Sequence, residues 1–388
     1  MVYAYPYLLL TLVFGVLAVC ENYYKSSSEK TTCINVLSII LFVFFFGLRG
    51  YVAYDWTAYC PAFNQLPDLP TMLSLPLNKW YWEPGFIVFA IFCKWIYPDY
   101  FFFQFACSLL NAILLFRFFR KYVDNIPFAL VLFCAMSGIE ISINLLRNSL
   151  AIFLFLNAIP YIQDKKPLPY FAICILGCMF HSSCIAYIPM YFILNRKMNY
   201  NVMLAVFIAA NMVYLLHIPI LKTIILLFVD LLMPSTKLWI ETYLTMDATT
   251  GSVLSIGYIE RLLTGVLLFC YMDKLRTLRG CNICNIFVNS MFFYLCIYLF
   301  LSEFRTISVR CSYLFVFAYW ITWIDLTKCF TYRNNKLLFM SFIGIYSLLK
   351  VGIGNNTAMS DYYNILFEDK TYNERLIFFR RHFNDNIR

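Results

Sequence analysis

Arginine side chains stand at the ends of apolar segments at several places in this sequence, where a membrane helix would meet water. Arg49 follows FFFGL, Arg147 opens RNSLAIFLF, and Arg305 and Arg310 lie close together beside a later apolar run. The planar guanidinium group binds phosphate in a bidentate manner, so arginines on one side of a membrane would suit a polyanion such as a pyrophosphate. The alternative is that they form structural ion pairs or extend their charged ends into the interface.

Three ionisable side chains near these arginines are candidates for proton transfer. His181 interrupts a hydrophobic segment in the sequence FHSSC, Glu83 precedes the apolar run PGFIVFAIF, and Asp55 lies in the stretch AYDWTAY. Histidine exchanges a proton near neutral pH, and a carboxylate can accept one from a hydroxyl group. For His181 the competing explanation is a hydrogen-bonded residue of the core.

Aromatic side chains surround Asp55 in the segment that follows Arg49. Tyr54, Trp56 and Tyr59 offer flat apolar faces on which sugar rings could stack. The same composition is typical of the belt of Trp and Tyr at a membrane interface. Both interpretations stay open from the sequence alone.

The composition places all of these residues in a membrane protein. The chain has 388 residues, is 62% hydrophobic and only 13% charged, with a mean hydropathy of +0.71, whereas soluble domains are about 45–50% apolar and about 25% charged. Segments of about 20 apolar residues leave room for roughly 10–13 transmembrane or re-entrant helices. We therefore expect an all-α polytopic membrane bundle that forms a single integral membrane domain over residues 1–388.

The basic residues indicate how these helices are oriented. The net charge of +9 is concentrated in short loops, which indicates cytoplasmic loops and not nucleic-acid binding. These loops contain Lys25, Lys30, Arg117, Arg120, Lys121, Lys165, Lys166, Arg196, Lys197, Lys274, Arg276, Arg279, Lys328, Arg333 and Lys336. Placing them inside makes residues 50–82 and 218–255 outer loops and 353–388 a C-terminal tail.

Two segments do not fit this orientation as full spans. Segment 84–97 is short and contains Lys94, so we expect it to cross only part of the membrane. Segment 168–194 is expected to form two short helical pieces that meet at His181 near the outer face. Such a break survives at membrane depth only where protein or a water-filled cavity surrounds it. The 15 cysteines are scattered and the C-x-x-C at Cys281 has no second pair, so no metal site is expected.

Four motifs occur in an order that resembles the EpsG family of bacterial exopolysaccharide polymerases, which is similar to the Wzy-type O-antigen and capsule polymerases. They are GLRGYVAYDWTAY, WEPGFIVFAIFCKWI, LLRNSLAIFLFLNAIPYI with the following FHSS, and VRCSYLFVFAYW with Arg310 and Tyr313. Two positions depart from the family pattern. Asn148 stands where the family usually has glutamine, and Ala53-Tyr54 replaces a glycine.

The resemblance implies a multi-pass transferase in the bacterial cytoplasmic membrane that needs no cofactor. It would join oligosaccharide units carried on polyprenyl pyrophosphate at the outer face, among membrane lipid, with a separate chain-length regulator as a further candidate partner. The implied site residues fall into three groups. Arg147, Arg310, Arg49 and Arg305 would bind pyrophosphate, His181, Glu83 and Asp55 would be catalytic, and Tyr54, Trp56, Tyr59 and Tyr313 would contact sugar.

Three other functions share parts of this pattern. An O-antigen ligase would use the same donor with a different acceptor. A glycosyltransferase that uses polyprenyl phosphate would be expected to have paired acidic residues in its first outer loop. A polysaccharide flippase or exporter would favour an internal repeat, and the sequence has none that we recognise.

Overall fold

The computed structural model describes residues 2–76, 79, 82–232 and 254–383, with side chains described throughout except at 227–232, 281 and 282. These residues form helices, and no β-strand occurs among them. The predicted all-α fold class is confirmed. In chain order the helices are α1 (Tyr5–Tyr23), α2 (Ser28–Gly47), α3 (Trp56–Gln65), α4 (Leu69–Ser74), α5 (Pro84–Ile96), α6 (Tyr100–Tyr122), α7 (Ile126–Phe133), α8 (Ile139–Asn144), α9 (Leu146–Gln163), α10 (Pro167–Phe180), α11 (Met190–Ile193), α12 (Tyr200–Leu215), α13 (Ile220–Leu232), α14 (Ile256–Cys270), α15 (Met272–Thr277), α16 (Cys281–Phe300), α17 (Arg305–Tyr313), α18 (Phe317–Cys329), α19 (Arg333–Gly354) and α20 (Tyr372–Phe383).

The chain forms two compact units. The first contains residues 1–191 and 337–388, and the second contains residues 192–336. In the first unit α9 packs against α6 and α10, α2 packs against α6, and α5 packs against α6 and α10. In the second unit α16 packs against α12, α17 and α18.

Six of the described helical segments are long and apolar enough to cross a membrane, or up to eight if each of two bent helix pairs is one span. The bent pairs are α12 with the start of α13, at 84°, and α17 with α18, at 64°. Apolar helices shorter than a span include α5 and α10. This is a multi-pass membrane protein, as the hydropathy predicts.

Proline and small polar residues set where the helices begin. Pro84 and Pro167 occupy the first turns of α5 and α10, where a missing amide proton costs no hydrogen bond. Asp99 accepts from the Phe102 amide at 3.0 Å and caps α6. Short polar contacts then join neighbouring apolar helices, as where the Asn111 side chain of α6 donates to Ser149 Oγ of α9 at 2.9 Å.

The segments predicted as loops and tail contain helices of their own. The predicted outer loop 50–82 contains α3 and α4, and the predicted tail 353–388 contains α20. The predicted outer region 218–255 begins with α13, and its residues 233–253 lie outside the described residues. Helix α5 is 13 residues long, shorter than the about 20 residues that a span needs, as expected of a partial segment. Which side of the membrane each loop occupies stays a prediction.

Candidate functional site

Arg147 lies at the start of α9, directly after a break in the helical backbone. Leu145 has φ −125° and ψ 53°, so the chain turns between α8 and α9 and presents Arg147 in the first turn of the new helix. A cation in that position opposes the helix dipole, which favours negative charge at a helix N-terminus. The position of Arg147 therefore depends on partners from other segments.

Glu83 is the first of these partners. Its Oε2 lies 2.7 Å from Arg147 Nη1, and its Oε1 accepts a hydrogen bond from the Ser182 amide at 3.0 Å. One carboxylate thus joins the start of α5, the start of α9 and the break after α10. The pair is only partly open to the surroundings, since the Glu83 and Arg147 side chains are 17% and 26% exposed.

The charge state of Glu83 follows from these contacts. Burial alone would raise the pKa of the carboxyl group, but the Ser182 and Glu83 amides and the Arg147 guanidinium outweigh burial and hold the pKa below its usual value. Glu83 is therefore an ionised hydrogen-bond acceptor at neutral pH.

Tyr59 is the second partner of Arg147. Its hydroxyl oxygen accepts a hydrogen bond from Arg147 Nε at 2.7 Å, and the guanidinium carbon lies 5.7 Å from the ring centroid. Burial raises the pKa of Tyr59 to about 12, even though Arg147 acts in the opposite direction. The ring packs against Trp82 and Phe86, which fixes α3 beside the start of α5.

His181 lies at the break between α10 and the following 3-10 turn, Ser182–Tyr187. Its Nδ1 accepts from the Ser183 amide at 3.1 Å and lies 2.7 Å from Ser183 Oγ, which in turn lies 2.9 Å from Asn148 Oδ1. Because Nδ1 accepts a hydrogen bond, the neutral imidazole carries its proton on Nε2. The predicted break of segment 168–194 at His181 is present.

A glycine brings the His181 turn within reach of Glu83. A Cβ atom at Gly85 would lie 2.8 Å from Met179 Cβ and 2.9 Å from the Met179 carbonyl oxygen. Only glycine allows the first turn of α5 to approach the last turn of α10 this closely. Gly85 thus permits the hydrogen bond between Glu83 and Ser182.

Together these contacts hold the Arg147 guanidinium through two of its three nitrogens. Arg147 uses Nε and Nη1 for Tyr59 and Glu83, and no residue in the described part of the chain accepts a hydrogen bond from its Nη2. A partly exposed guanidinium with one open amino group, held rigidly through its other nitrogens, can bind a phosphate oxygen without first reorganising. We call Tyr59, Glu83, Arg147 and His181 the Arg147 site.

Arg49 has different surroundings. It is 1% exposed, and its guanidinium donates to the Phe46 carbonyl, to Ser108 Oγ at 3.3 Å and to the Ile143 carbonyl at 3.5 Å. These acceptors join the end of α2 to α6 and α8. None of these contacts belongs to the Arg147 site, and a pyrophosphate role for Arg49 stays a prediction.

The aromatic residues near Asp55 differ in how much of their rings is open. Tyr54 is 40% exposed, whereas Trp56 is 3% exposed and its ring contacts those of Tyr51 and Tyr372. Asp55 directly precedes α3, and its charge raises the pKa of Tyr59 further. The charge of Asp55 thus acts on Tyr59 of the Arg147 site. The ring of Tyr54 is more accessible than that of Trp56.

The remaining predicted residues lie in the second unit. Arg305 and Arg310 are exposed residues of α17, and Tyr313 is the last residue of that helix. Their predicted roles in binding pyrophosphate and sugar stay predictions. Among the described residues, no group of three His, Cys, Asp or Glu side chains could hold a metal ion.

Two charged positions were not singled out from the sequence. Arg375 of α20 is 5% exposed and hydrogen-bonded to the Tyr51 carbonyl. Glu260 of α14 is 3% exposed beside Arg261, inside an apolar run, which was the signal that could have identified it. For Arg375 the available signal was the helical spacing of Tyr372 and Phe379, which indicates a helix in the predicted tail.

The family model described as EpsG family matches residues 32–364, which is most of the chain. No curated protein and no solved structure matches. The matched range contains every residue of the Arg147 site, and the chain belongs to the EpsG family, which associates it with exopolysaccharide polymerase-like function.

Proposed function

We propose that the protein is a polymerase that joins oligosaccharide repeat units carried on polyprenyl pyrophosphate, at the outer face of the bacterial cytoplasmic membrane. The observation that carries the proposal is the Arg147 site itself, in a chain of the EpsG family. Three motifs far apart in sequence contribute Tyr59, Glu83, Arg147 and the turn that follows His181 to one hydrogen-bonded cluster. An anionic leaving group needs a held cation of this kind.

The proposed reaction is a glycosyl transfer. The bond between the anomeric carbon of the growing chain and its pyrophosphate oxygen breaks, and the pyrophosphate leaves on its polyprenyl carrier. A hydroxyl oxygen of the next lipid-linked unit forms the new bond to that carbon and gives up its proton. Because the donor is already activated, the transfer needs no nucleotide, and we propose that it needs no metal.

Arg147 is proposed to bind the pyrophosphate through Nη2. The charge on the leaving oxygen grows in the transition state, so a preorganised guanidinium stabilises that state more than the bound substrate. Glu83 and Tyr59 hold the guanidinium in place through its other two nitrogens. Glu83 acts in this proposal as the holder of Arg147 and not as a base, since its contacts keep it ionised and occupied.

His181 and Asp55 are the remaining candidates for proton transfer. His181 Nδ1 accepts from the Ser183 amide, which leaves the imidazole proton on Nε2, and we propose that this proton donates to a phosphate oxygen during transfer. Asp55 is then the carboxylate proposed to take the proton of the acceptor hydroxyl. The exposed ring of Tyr54 beside it is the proposed sugar contact.

Purified protein in vesicles with a labelled lipid-linked repeat unit as the sole sugar substrate tests the proposal. A polymerase converts the single unit into a ladder of longer lipid-linked chains. A ligase needs a second, chemically different acceptor lipid before any product forms. A flippase moves units across the bilayer without lengthening them, so an absence of longer chains from a folded preparation contradicts the proposal.

A further inference from the structure

The C-terminal segment closes over the chain that leads into α3. The Ala53 amide donates to the Met359 carbonyl at 2.9 Å, the Gly50 amide to the Tyr363 carbonyl at 2.9 Å, and the Ile365 amide to the Leu48 carbonyl at 2.9 Å. A Cβ atom at Gly50 would overlap the ring of Tyr363, so only glycine permits this approach. Main-chain groups of residues 48–53 are thus satisfied by residues more than 300 positions later.

Arg375 stabilises this contact through hydrogen bonds and an ion pair. Its Nε and Nη2 donate to the Tyr51 carbonyl at 3.1 and 2.8 Å, and its Nη1 lies 2.6 Å from Asp361 Oδ2. Nη2 also donates to the Asp361 carbonyl at 3.1 Å. The guanidinium is buried and ion-paired, and it joins α20, the turn near residue 361 and the chain entering α3.

One face of α20 covers the aromatic segment. Tyr372 and Phe379 lie edge-on to Trp56, with centroids 5.5 and 5.9 Å away, and Phe379 and Phe383 lie edge-on to Tyr54. These residues of α20 recur at helical spacing, so they share one side of the helix. Arg380 and Arg381 on the same helix are exposed.

The contacts continue from this cover to the Arg147 site. The rings of Tyr51 and Trp56 are tilted by 42° with centroids 4.9 Å apart, and the Tyr51 hydroxyl lies 3.8 Å from the thiol of Cys60. Cys60 is 3% exposed and directly follows Tyr59, whose hydroxyl holds Arg147 Nε. Arg375 therefore acts on the segment that positions Tyr59 without touching the Arg147 site itself.

We propose that Arg375 is a positioning residue: through the Tyr51 carbonyl it fixes the segment 51–60, and with it the placement of Tyr59 against Arg147. The catalytic part of this proposal rests on the proposed polymerase function. The residue lies beyond the family-matched range, which ends at 364.

Alkylation of Cys60 in the full-length protein tests the placement without any activity assay. Peptide mapping after maleimide treatment compares Arg375→Ala with Arg381→Ala, a matched loss of an exposed arginine from the same helix. We expect Cys60 to react at least about tenfold faster in Arg375→Ala, because the variant loses several charge-assisted hydrogen bonds, and to stay protected in Arg381→Ala. Exposed Cys33 reports full reactivity, and buried Cys174 in α10 reports whether the unit stays folded.

Steady-state kinetics of chain lengthening test the effect on the Arg147 site. A misplaced Arg147 loses transition-state contacts, so we expect kcat of Arg375→Ala to fall about tenfold or more while KM for the lipid-linked donor changes little. Arg375→Lys should restore part of kcat, because one ammonium group can still reach the Tyr51 carbonyl. A purely structural role would lower the amount of folded protein and leave kcat of the folded fraction unchanged.

Two results would overturn the proposal. One is protection of Cys60 at the parent level in Arg375→Ala; the other is a more reactive Cys60 with unchanged kcat. If Cys174 also becomes reactive in Arg375→Ala, that variant is unfolded and a milder one replaces it. Asp361→Asn removes only one partner of Arg375, and its Cys60 reactivity and kcat are judged by the same two criteria. Failure of the parent protein to lengthen chains would contradict the proposed function, whereas the Cys60 result would still decide whether Arg375 holds residues 51–60.

Discussion

At the scale of single residues, the Arg147 site depends on how many partners each group has. Among the described residues, Arg147 has a carboxylate and a phenol on two of its nitrogens and no acceptor on the third. Glu83 has a guanidinium on one oxygen and an amide on the other. Two groups so closely joined should act as one unit, and this distinguishes a holding role for Glu83 from a role as an independent base.

The first prediction concerns that unit. We expect Arg147→Ala to lower the rate of chain lengthening by about 10²–10³, the usual effect of removing one transition-state donor. Glu83→Ala should lower it less, and the double variant should be no slower than Arg147→Ala, since Glu83 acts through Arg147. The rates of the four proteins in the vesicle assay give the coupling. Independent, multiplying effects would mean that Glu83 acts on the substrate directly.

The second prediction follows from the lowered pKa of Glu83. A carboxyl group whose pKa is lower in the folded state stabilises that state above its unfolded pKa of about 4.3, and this stabilisation is lost as the pH falls through the folded value. The melting temperature of the parent should therefore exceed that of Glu83→Gln at neutral pH, and the difference should shrink below about pH 4. The exposed Glu368 supplies the control, and Glu368→Gln should show little difference at either pH. A pH-independent difference would contradict the assignment.

The third prediction concerns Ala53, which has a φ of 65°. The left-handed conformation costs an L-residue with a Cβ atom about 1–2 kcal/mol, and here the hydrogen bond to Met359 holds it. Ala53→Gly removes that strain, but the greater conformational freedom of glycine in the unfolded chain lowers the stability by about 0.4–1 kcal/mol. We expect a net gain in stability of about 0.5–1 kcal/mol, measured by thermal unfolding in detergent. Destabilisation would mean that the methyl group makes a contact that outweighs the strain.

At the scale of elements, short helices bring the polar residues together between longer apolar ones. Helices α5 and α10 end or begin at the Arg147 site, and α9 begins there after a break. Each break exposes backbone amides, and the Ser182 amide is used by Glu83 and the Ser183 amide by His181. Irregular backbone inside a membrane bundle thus supplies hydrogen-bond donors to the site.

The fourth prediction tests the approach of α5 to α10. Gly85→Ala places a Cβ against the Met179 backbone, which cannot rotate away, so the two helices must move apart. We expect a loss of about 1–3 kcal/mol in stability and a fall in rate of about 10–100-fold as Glu83 withdraws from Ser182. Gly15→Ala in α1 is the matched control, since a Cβ there meets nothing within 4 Å. Equal behaviour of the two variants would contradict the close packing.

The elements also differ in how far the sequence predicts them. The break at His181 was predictable because three polar residues interrupt an apolar run, and the start of α9 was predictable because Arg147 opens one. The cover formed by α20 was not: the spacing of Tyr372 and Phe379 indicates a helix, but nothing local shows that Arg375 contacts Tyr51, 324 positions earlier. Trp56 shows the same limit. The aromatic residues around it in the sequence are compatible with a surface on which sugars stack, whereas the three-dimensional packing buries its side chain.

At the scale of the whole molecule, the charge pattern predicts which side of the membrane the Arg147 site faces, and the proposed function requires the outer side. The basic loops are predicted to face the cytoplasm, which puts α3 and the Arg147 site on the outer face, where the proposed lipid-linked units are. Site and topology are thus linked: an inward-facing Arg147 site would contradict the proposed function whatever its geometry.

The fifth prediction tests that sidedness with cysteines. Cys33 and Cys270 are exposed and lie beside basic loops, near Lys30 and Lys274, so the positive-inside rule places both on the cytoplasmic side. A membrane-impermeant maleimide added to intact spheroplasts should leave them unlabelled and should label them after the membrane is permeabilised. Ala58→Cys, an exposed position in α3 next to Tyr59, should be labelled in intact spheroplasts. Labelling of Cys33 from outside would show that the first loop faces outward. Since only α2 separates that loop from α3, the Arg147 site would then face the cytoplasm. That result would contradict both the topology and the polymerase proposal.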